Sequence, residues 1–173
     1  MLAYLDQKKL SSEDSMRYFQ DVLSKLDLSS GREIGTQLGF SPKYFEAMYA
    51  IGVKYYDNNR LEDAIKILYQ LTVIQPSASR NYKALGACLQ AKEDYATAIT
   101  VYGSAVALAA MDAEIHFYVG QCQFLMGDFL QASVTLKLAS RLCEKYPEKW
   151  AHIAHHAKDL YTRASQRATK APT

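Results

Sequence analysis

Residues 84–99 read ALGACLQAKEDYATAI, and residues 118–133 read YVGQCQFLMGDFLQAS. Both carry Gly-x-Cys, a turn, an aromatic and a small residue at the same distances, offset by 34 positions. A fixed period of this length marks a repeat architecture, in which one supersecondary unit is copied along the chain. Stepping back by 34 extends the pattern: Gly52, Gly86 and Gly120 fall in one column and Ala64, Ala98 and Ala132 in another. Leu61, Tyr95 and Phe129 form a third, and Leu68, Tyr102 and Leu136 a fourth. Ile51, Leu85 and Val119, then Leu71, Ala105 and Ala139, complete six columns that hold across three units without a gap.

Within each unit the spacing is helical. Met48, Ile51, Gly52 and Tyr55 recur at i, i+3, i+4, i+7 and make one face of a helix A. Asp57-Asn58-Asn59 breaks the pattern with turn-forming residues. Leu61, Ala64, Ile65 and Leu68 then mark a helix B. Small residues at 52 and 64 allow close approach of A and B, since larger side chains would hold the axes apart. Such a unit cannot bury its apolar face alone, so neighbours must stack. The prolines agree: Pro42 follows Ser41 as an N1 proline after an N-cap, Pro76 separates two units, Pro147 precedes a last helix and Pro172 lies in the tail. The period and its columns resemble the tetratricopeptide repeat (TPR), with units at about 45–78, 79–112 and 113–146 in a region 41–146.

The flanks are also helical in pattern. In 1–40, Ser11-Ser12-Glu13-Asp14 reads as a capping-box start, and Met16, Phe19, Leu23 and Leu26 give a helix over 12–26. A shorter helix holds Ile34 and Leu38 before Gly39. After the array, Trp150, Ile153, Ala157, Leu160 and Tyr161 form the apolar face of a capping helix within 147–168, and 169–173 is expected to be a disordered tail. The expected fold is therefore all-α: a TPR-like solenoid of three repeats, an N-terminal helical extension and a C-terminal capping helix.

Composition bounds the function. At 173 residues the chain buries roughly 70% of its unfolded surface without a metal or disulfide. A net charge of +2 gives no pull toward nucleic acid or membrane, although Lys145, Lys149, Lys158, Arg163, Arg167 and Lys170 make the end of the chain basic. MLAYLDQKKL does not read as a secretion signal, and the stretch from Tyr102 to Met111 falls short of the ~20 residues that span a bilayer. Three cysteines without a signal point to reduced thiols in the cytosol.

Chemistry-bearing motifs are missing from the sequence: it has no phosphate loop, nucleophile elbow or paired-cysteine zinc pattern. Cys88 and Cys122 lie one repeat apart and read as packing residues, and His116 as a core histidine. His152 and His156 stand at i, i+4 beside His155, but zinc needs a third or fourth ligand that this turn does not supply, so no metal site is assigned. Glu62-Asp63 and Glu93-Asp94 precede helix B, where they favour the N-terminal dipole. The expectation is a protein without a cofactor and without catalysis.

The functional surface is expected on the concave side, lined by the helix A positions flanking the packing stripe. These are Glu46, Tyr49, Val53 and Tyr56 in the first repeat, Arg80, Lys83, Ala87 and Gln90 in the second, and Glu114, Phe117, Gln121 and Phe124 in the third. Four large aromatics among them have two readings. Either a terminal helix folds over and hides them, or they receive an extended or polyproline peptide. Aromatics suit the second because they offer apolar area with few rotamers to freeze, while Lys83, Gln90 and Gln121 bond the peptide backbone. The Lys/Asn/Arg clamp with which some TPR modules hold acidic C-termini is missing: Tyr49, Val53, Glu114 and Tyr118 occupy its places.

A narrower resemblance rests on LGACLQA (85–91), the helix from Tyr95 to Tyr102, Met111-Asp112 and GQC (120–122) with Gly127-Asp128 downstream. Over roughly 40–146 the chain resembles the class II chaperones of bacterial type III secretion, which serve pore-forming translocator proteins. The resemblance implies a cytoplasmic bacterial chaperone that holds a P-x-L-x-x-P-like translocator segment in the groove. Tyr49, Val53 and Tyr56 would form the aromatic pocket, with Ala87 letting the peptide approach. It also implies a homodimer through N-terminal helices, with Phe19, Leu23 and Leu26 at the interface. Val53, where an aromatic is common, and the charge of Lys83 depart from the family pattern. Two other readings stay open: a generic TPR peptide-binding scaffold, and a co-activator partnering a transcription regulator of secretion genes.

Overall fold

The structure is a computed structural model that describes Ser24, Leu26, Asp27 and residues 32–169. Eight helices are ordered along the described chain: α1 (Ile34–Gln37), α2 (Pro42–Asp57), α3 (Leu61–Ile74), α4 (Ser79–Ala91), α5 (Tyr95–Leu108), α6 (Ala113–Leu125), α7 (Phe129–Lys145) and α8 (Pro147–Ala168). No strand occurs among the described residues. Helices α2–α3, α4–α5 and α6–α7 are the A–B pairs of a TPR-like helical solenoid, and from α2 onward each helix packs against the next in chain order. None of the described helices is long and apolar enough to cross a membrane.

Local chemistry sets the helix ends. Ser41 caps α2 by accepting the Tyr44 N–H at 3.3 Å, with Pro42 at the first helical position. All three A helices stop in the same way. Asn59, Glu93 and Gly127, one period apart, take left-handed φ of 57°, 63° and 83°. The next residue then bonds back across the turn: Arg60 N–H to Tyr55 O, Asp94 N–H to Leu89 O and Asp128 N–H to Gln123 O. This is the Schellman closure, which satisfies carbonyls that the helix end leaves open. Asp94 and Asp128 cap the following B helices through Thr97 N–H and Gln131 N–H.

The glycine column fixes how closely A and B approach. A Cβ on Gly52 would lie 2.8 Å from Leu68 Cγ, on Gly86 2.5 Å from Tyr102 Cε1, and on Gly120 2.5 Å from Leu136 Cγ. Those partners form the 68/102/136 column, so two of the sequence columns are mates across the A–B contact. The core is divided accordingly. One cluster joins Phe45, Leu68 and Leu71 to Leu85 and Cys88, and another joins Ala98, Tyr102 and Ala105 to Ile115 and Cys122. The third joins Phe117, Phe124, Leu136 and Leu142 to Trp150, Ile153 and Ala157 of α8. Each cluster couples a unit to its successor, as expected of a quasi-one-dimensional stack.

Helix α8 covers the end of the array, packing on α7 and α6. Its first turn is bent at Trp150 (φ −116°, ψ 19°), a buried residue. At the other end, Asp27 N–H donates to Gln37 Oε1 (2.7 Å) and Gln37 Nε2 donates to Asp27 O (3.1 Å). This pins the chain beside α1, which rests on α3. The helix expected over 12–26, with Phe19 and Leu23, lies outside the described residues. Leu26 is described and partly exposed. Of the expected tail 169–173, only Thr169 is described.

Candidate functional site

The helix A positions flanking the packing stripe separate into two sets. One set meets the next unit. The Arg80 guanidinium lies 4.7 Å over the Tyr49 ring and bonds the Glu46 carboxylate, so α4 grips α2. That hydrogen bond holds the Glu46 carboxyl below the usual carboxylate range. One period on, Lys83 Nζ reaches Glu114 Oε2 of α6 at 2.6 Å and Oδ2 of Asp112, the N-cap of α6, at 3.2 Å. Glu114 Oε1 in turn meets His152 Nε2 of α8 at 2.7 Å. Burial opposes charge on both Lys83 and Glu114. The pairing prevails: Lys83 titrates above its ordinary range, and Glu114 is held below its own by Lys83 and His152.

The third member of that column is Phe117, and it obeys the same rule. It is buried under α8 in one cluster with Trp150 and Ile153. Phe124 is buried too. Arg163 and Arg167 of α8 lie 5.4 Å and 5.0 Å over its ring, and Arg167 lies 5.1 Å from that of Phe129. The expectation that Phe117 and Phe124 face an open groove is therefore corrected: the C-terminal helix hides them. The reason is geometric. Helix α8 stands where a fourth helix A would stand, and positions that meet the next unit become apolar when that unit is an apolar helix. Lys83, expected as a charge at the groove's centre, is likewise neutralised within the joint.

The second set remains open. Val53, Tyr56, Ala87, Gln90 and Gln121 line two adjoining cavities that share Tyr56 and Ala87. The smaller, about 210 Å³, is bounded by Val53, Tyr56, Asp57, Ala84, Ala87 and Cys88. The larger, about 300 Å³, adds Gln90, Gln121, Tyr95, Tyr102, Tyr118 and Leu125. Tyr56 is 39% exposed and stands between them. The polar wall is ordered in advance: Tyr102 Oη donates to Gln90 Oε1 (3.1 Å), and Gln90 Nε2 donates to Gln121 Oε1 (2.8 Å). The Gln121 amide N–H groups find no acceptor among the described residues, so they are available to a ligand carbonyl. Burial pushes the Tyr102 hydroxyl far above its ordinary range, so it stays a neutral donor.

Tyr95, Tyr102, Tyr118 and Leu125 were not expected at the site. In the third repeat the open stripe runs Tyr118, Gln121, Leu125, at i, i+3, i+7, rather than through Phe117 and Phe124. The 34-residue step carried a usable signal, because Tyr118 and Leu125 align with Ala84 and Ala91, which also line the cavities. The remaining singled-out groups serve packing. Cys88, Cys122 and Cys143 are buried, and desolvation pushes the first two thiols up to about 11. His116, also buried, contacts Ala110 O at 2.8 Å. Among the described residues no group of three or more His, Cys, Asp or Glu is placed to hold a metal.

No family model matches the chain. The Low calcium response locus protein H of Yersinia pseudotuberculosis is 29% identical over 138 residues, covering 80% of this chain and 77% of that protein. Among solved structures, the type III secretion translocator chaperone SycD of Yersinia enterocolitica superposes with a TM-score of 0.73 at 25% identity, covering 78% of this chain and 99% of SycD. SycD is also known as an alternative dimer and in complex with a peptide of the translocator YopD. PcrH in complex with the chaperone-binding region of PopD gives a TM-score of 0.72 at 25% identity, covering 75% of this chain and 97% of PcrH. In sequence and in fold, this chain is similar to the type III secretion translocator chaperones.

Proposed function

We propose that this chain is a cytosolic chaperone of bacterial type III secretion translocators, and that it holds an extended client segment across the two cavities divided by Tyr56 and Ala87. That pair of cavities is the observation that supports the site. A segment patterned P-x-L-x-x-P offers three anchors. In polyproline form at about 3.1 Å per residue, they are spaced roughly 6 Å and 9 Å apart. Two adjoining apolar cavities receive neighbouring anchors, and Gln121 donates to the backbone between them. Ala87 is the floor where the peptide passes closest.

The work is holding, and no step of it is catalytic. The polar wall of the site is the hydrogen-bonded chain Tyr102–Gln90–Gln121, and burial pushes the Cys88 thiol up to about 11, which leaves it unactivated. A client whose apolar segments would aggregate is kept extended until export, with binding energy as the only currency. Homodimerisation, seen for SycD, is part of the same reading.

The test is calorimetric titration with a ten-residue peptide containing P-x-L-x-x-P and with the same peptide carrying Ala at the three anchors. Micromolar binding corresponds to about −8 kcal/mol. Ala87→Phe fills both cavities from their shared wall and is expected to abolish binding while far-UV circular dichroism stays unchanged. Equal binding of both peptides, or full binding by Ala87→Phe, would overturn the proposed site.

A further inference from the structure

The last residue of each A helix stands at the groove. Asp57, Ala91 and Leu125 end α2, α4 and α6, one period apart. All three line the cavities, Asp57 the smaller one, Ala91 and Leu125 the larger. Among the described residues that line the two cavities, Asp57 is the one that carries a charge. Around it the 210 Å³ cavity is walled by apolar side chains, Val53, Leu68, Ala84 and Ala87 among them. The other end is apolar, with Leu125 52% exposed, and Arg163 and Arg167 lie beyond it over Phe124. The two ends of the groove are chemically unlike.

Nothing in the fold accounts for a carboxylate at 57. A helix C-terminus carries a partial negative charge, so an acidic side chain there stands in the unfavourable place. The repeat does not require it, since Ala91 and Leu125 fill the same position without charge. Glu46, Glu62 and Asp63, the other carboxylates of the first unit, bond Arg80, Lys92 and Arg60. Asp57 is exposed and has no such partner among the described residues. Lys54, one turn earlier on α2, bounds a separate cavity with Ile51, Tyr55 and Arg60. An unmatched carboxylate thus sits at the rim of an apolar cavity.

We propose that Asp57 reads charge in the bound segment: the smaller cavity takes an apolar anchor, and Asp57 pairs with a Lys or Arg of the client beside that anchor. The inference rests on the groove reading above and deepens it. The client's cation lays its methylene stem along the exposed Tyr56 ring and sets its charge at the carboxylate. A Glu or Asp in that place meets both Asp57 and the negative end of α2, and is rejected. At the opposite end a client cation meets the arginines of α8. The pair therefore also fixes which way the segment lies along the groove.

The experiment is calorimetric titration of the full chain with ten-residue peptides on the P-x-L-x-x-P pattern, in which a single Lys, or a single Glu, is moved through the non-anchor positions. At low salt, Lys is expected to bind about three- to tenfold more tightly than Glu at one position beside an outer anchor. About 0.5 M salt should shrink that difference. Asp57→Asn should remove the preference, and Asp57→Lys should invert it. Asp57→Asn should also keep or raise the urea midpoint, because it relieves a charge that the helix end disfavours. A lowered midpoint would give the carboxylate a structural role and overturn the proposal. Equal affinity of Lys and Glu peptides at every position, or a preference that survives Asp57→Asn, would overturn it and leave the groove reading intact. Binding by none of the peptides, to a chain that circular dichroism shows to be helical, would overturn both readings together.

Discussion

Two glycines of the second repeat should respond to the same substitution with opposite signs. Gly86 lies where α4 crosses α5. A Cβ there would stand 2.5, 2.7 and 2.8 Å from three ring atoms of Tyr102, where ordinary contact is 3.4–4 Å. The ring cannot retreat, because Tyr102 is fully buried and its hydroxyl is held by Gln90. Overpacking of this kind costs about 1–3 kcal/mol, and replacing a helical glycine by alanine returns about 1 kcal/mol. Gly86→Ala is therefore expected to lose roughly 1–2 kcal/mol, near the upper end because the clash is with a ring. Gly103 sits in α5, exposed, with nothing within 4 Å of a built Cβ. Gly103→Ala should gain about 0.5–1 kcal/mol from the unfolded chain's lost freedom. The separation between the two variants, roughly 1.5–3 kcal/mol, is readable as urea midpoints followed by far-UV circular dichroism. At about 2–4 °C per kcal/mol for a chain of this size, thermal melts should show the same order. A Gly86→Ala midpoint equal to or above wild type would refute the claim that side-chain size sets the A–B separation.

Three further outcomes are expected. Glu114 is held below, and Lys83 above, their ordinary ranges, so their joint contributes fully between those ranges. The Glu114 share is lost as pH falls through its lowered value, and the Lys83 share as pH rises through its raised one. Lys83→Met should accordingly flatten the acid limb of stability against pH, and an unchanged limb would contradict the pairing. Trp150→Ala should cost about 3–5 kcal/mol and increase hydrogen exchange first in α8 and then at Phe117 and Phe124, since one cluster holds all of them. Cys88 and Cys122, buried with thiols raised to about 11, should stay silent to a thiol reagent at neutral pH until urea opens the array.

How much of this was legible in the chain alone follows from what a period can encode. Gly52, Gly86 and Gly120 announced the A–B contact because only a missing side chain permits it, and the columns 68, 102 and 136 are their partners in space. Ser41-Pro42 announced the start of α2 because N-cap geometry is local. The turns at Asp57-Asn58-Asn59 and Glu93-Asp94 were readable as breaks between helices, but the left-handed φ of Asn59 and Glu93 was not, since neither is the glycine that usually marks it. The open half of the groove was partly readable: Val53, Tyr56, Ala87, Gln90 and Gln121 face the cavities. Phe117 and Phe124 do not, because a period written inside each unit cannot say what the following unit brings to the joint.

That last point bears on why the site lies where it does. Tyr49 under Arg80, Lys83 between Asp112 and Glu114, and Phe117 under α8 are one structural position solved with three chemistries: cation over ring, ion pair and apolar burial. Each choice seals one junction between a unit and its successor. What stays open is the neighbouring column, where Tyr56 and Gln90 stand. Its third member, Phe124, is closed by the arginines of α8. The cavities therefore cluster around the first two units and the near face of the third, with the cap as their far boundary. On the proposed reading, a client segment meets a site whose length is set by α8. Lengthening the groove would require displacing that helix from Trp150 and Ile153 onward, at the energetic cost of exposing Phe117 and Phe124.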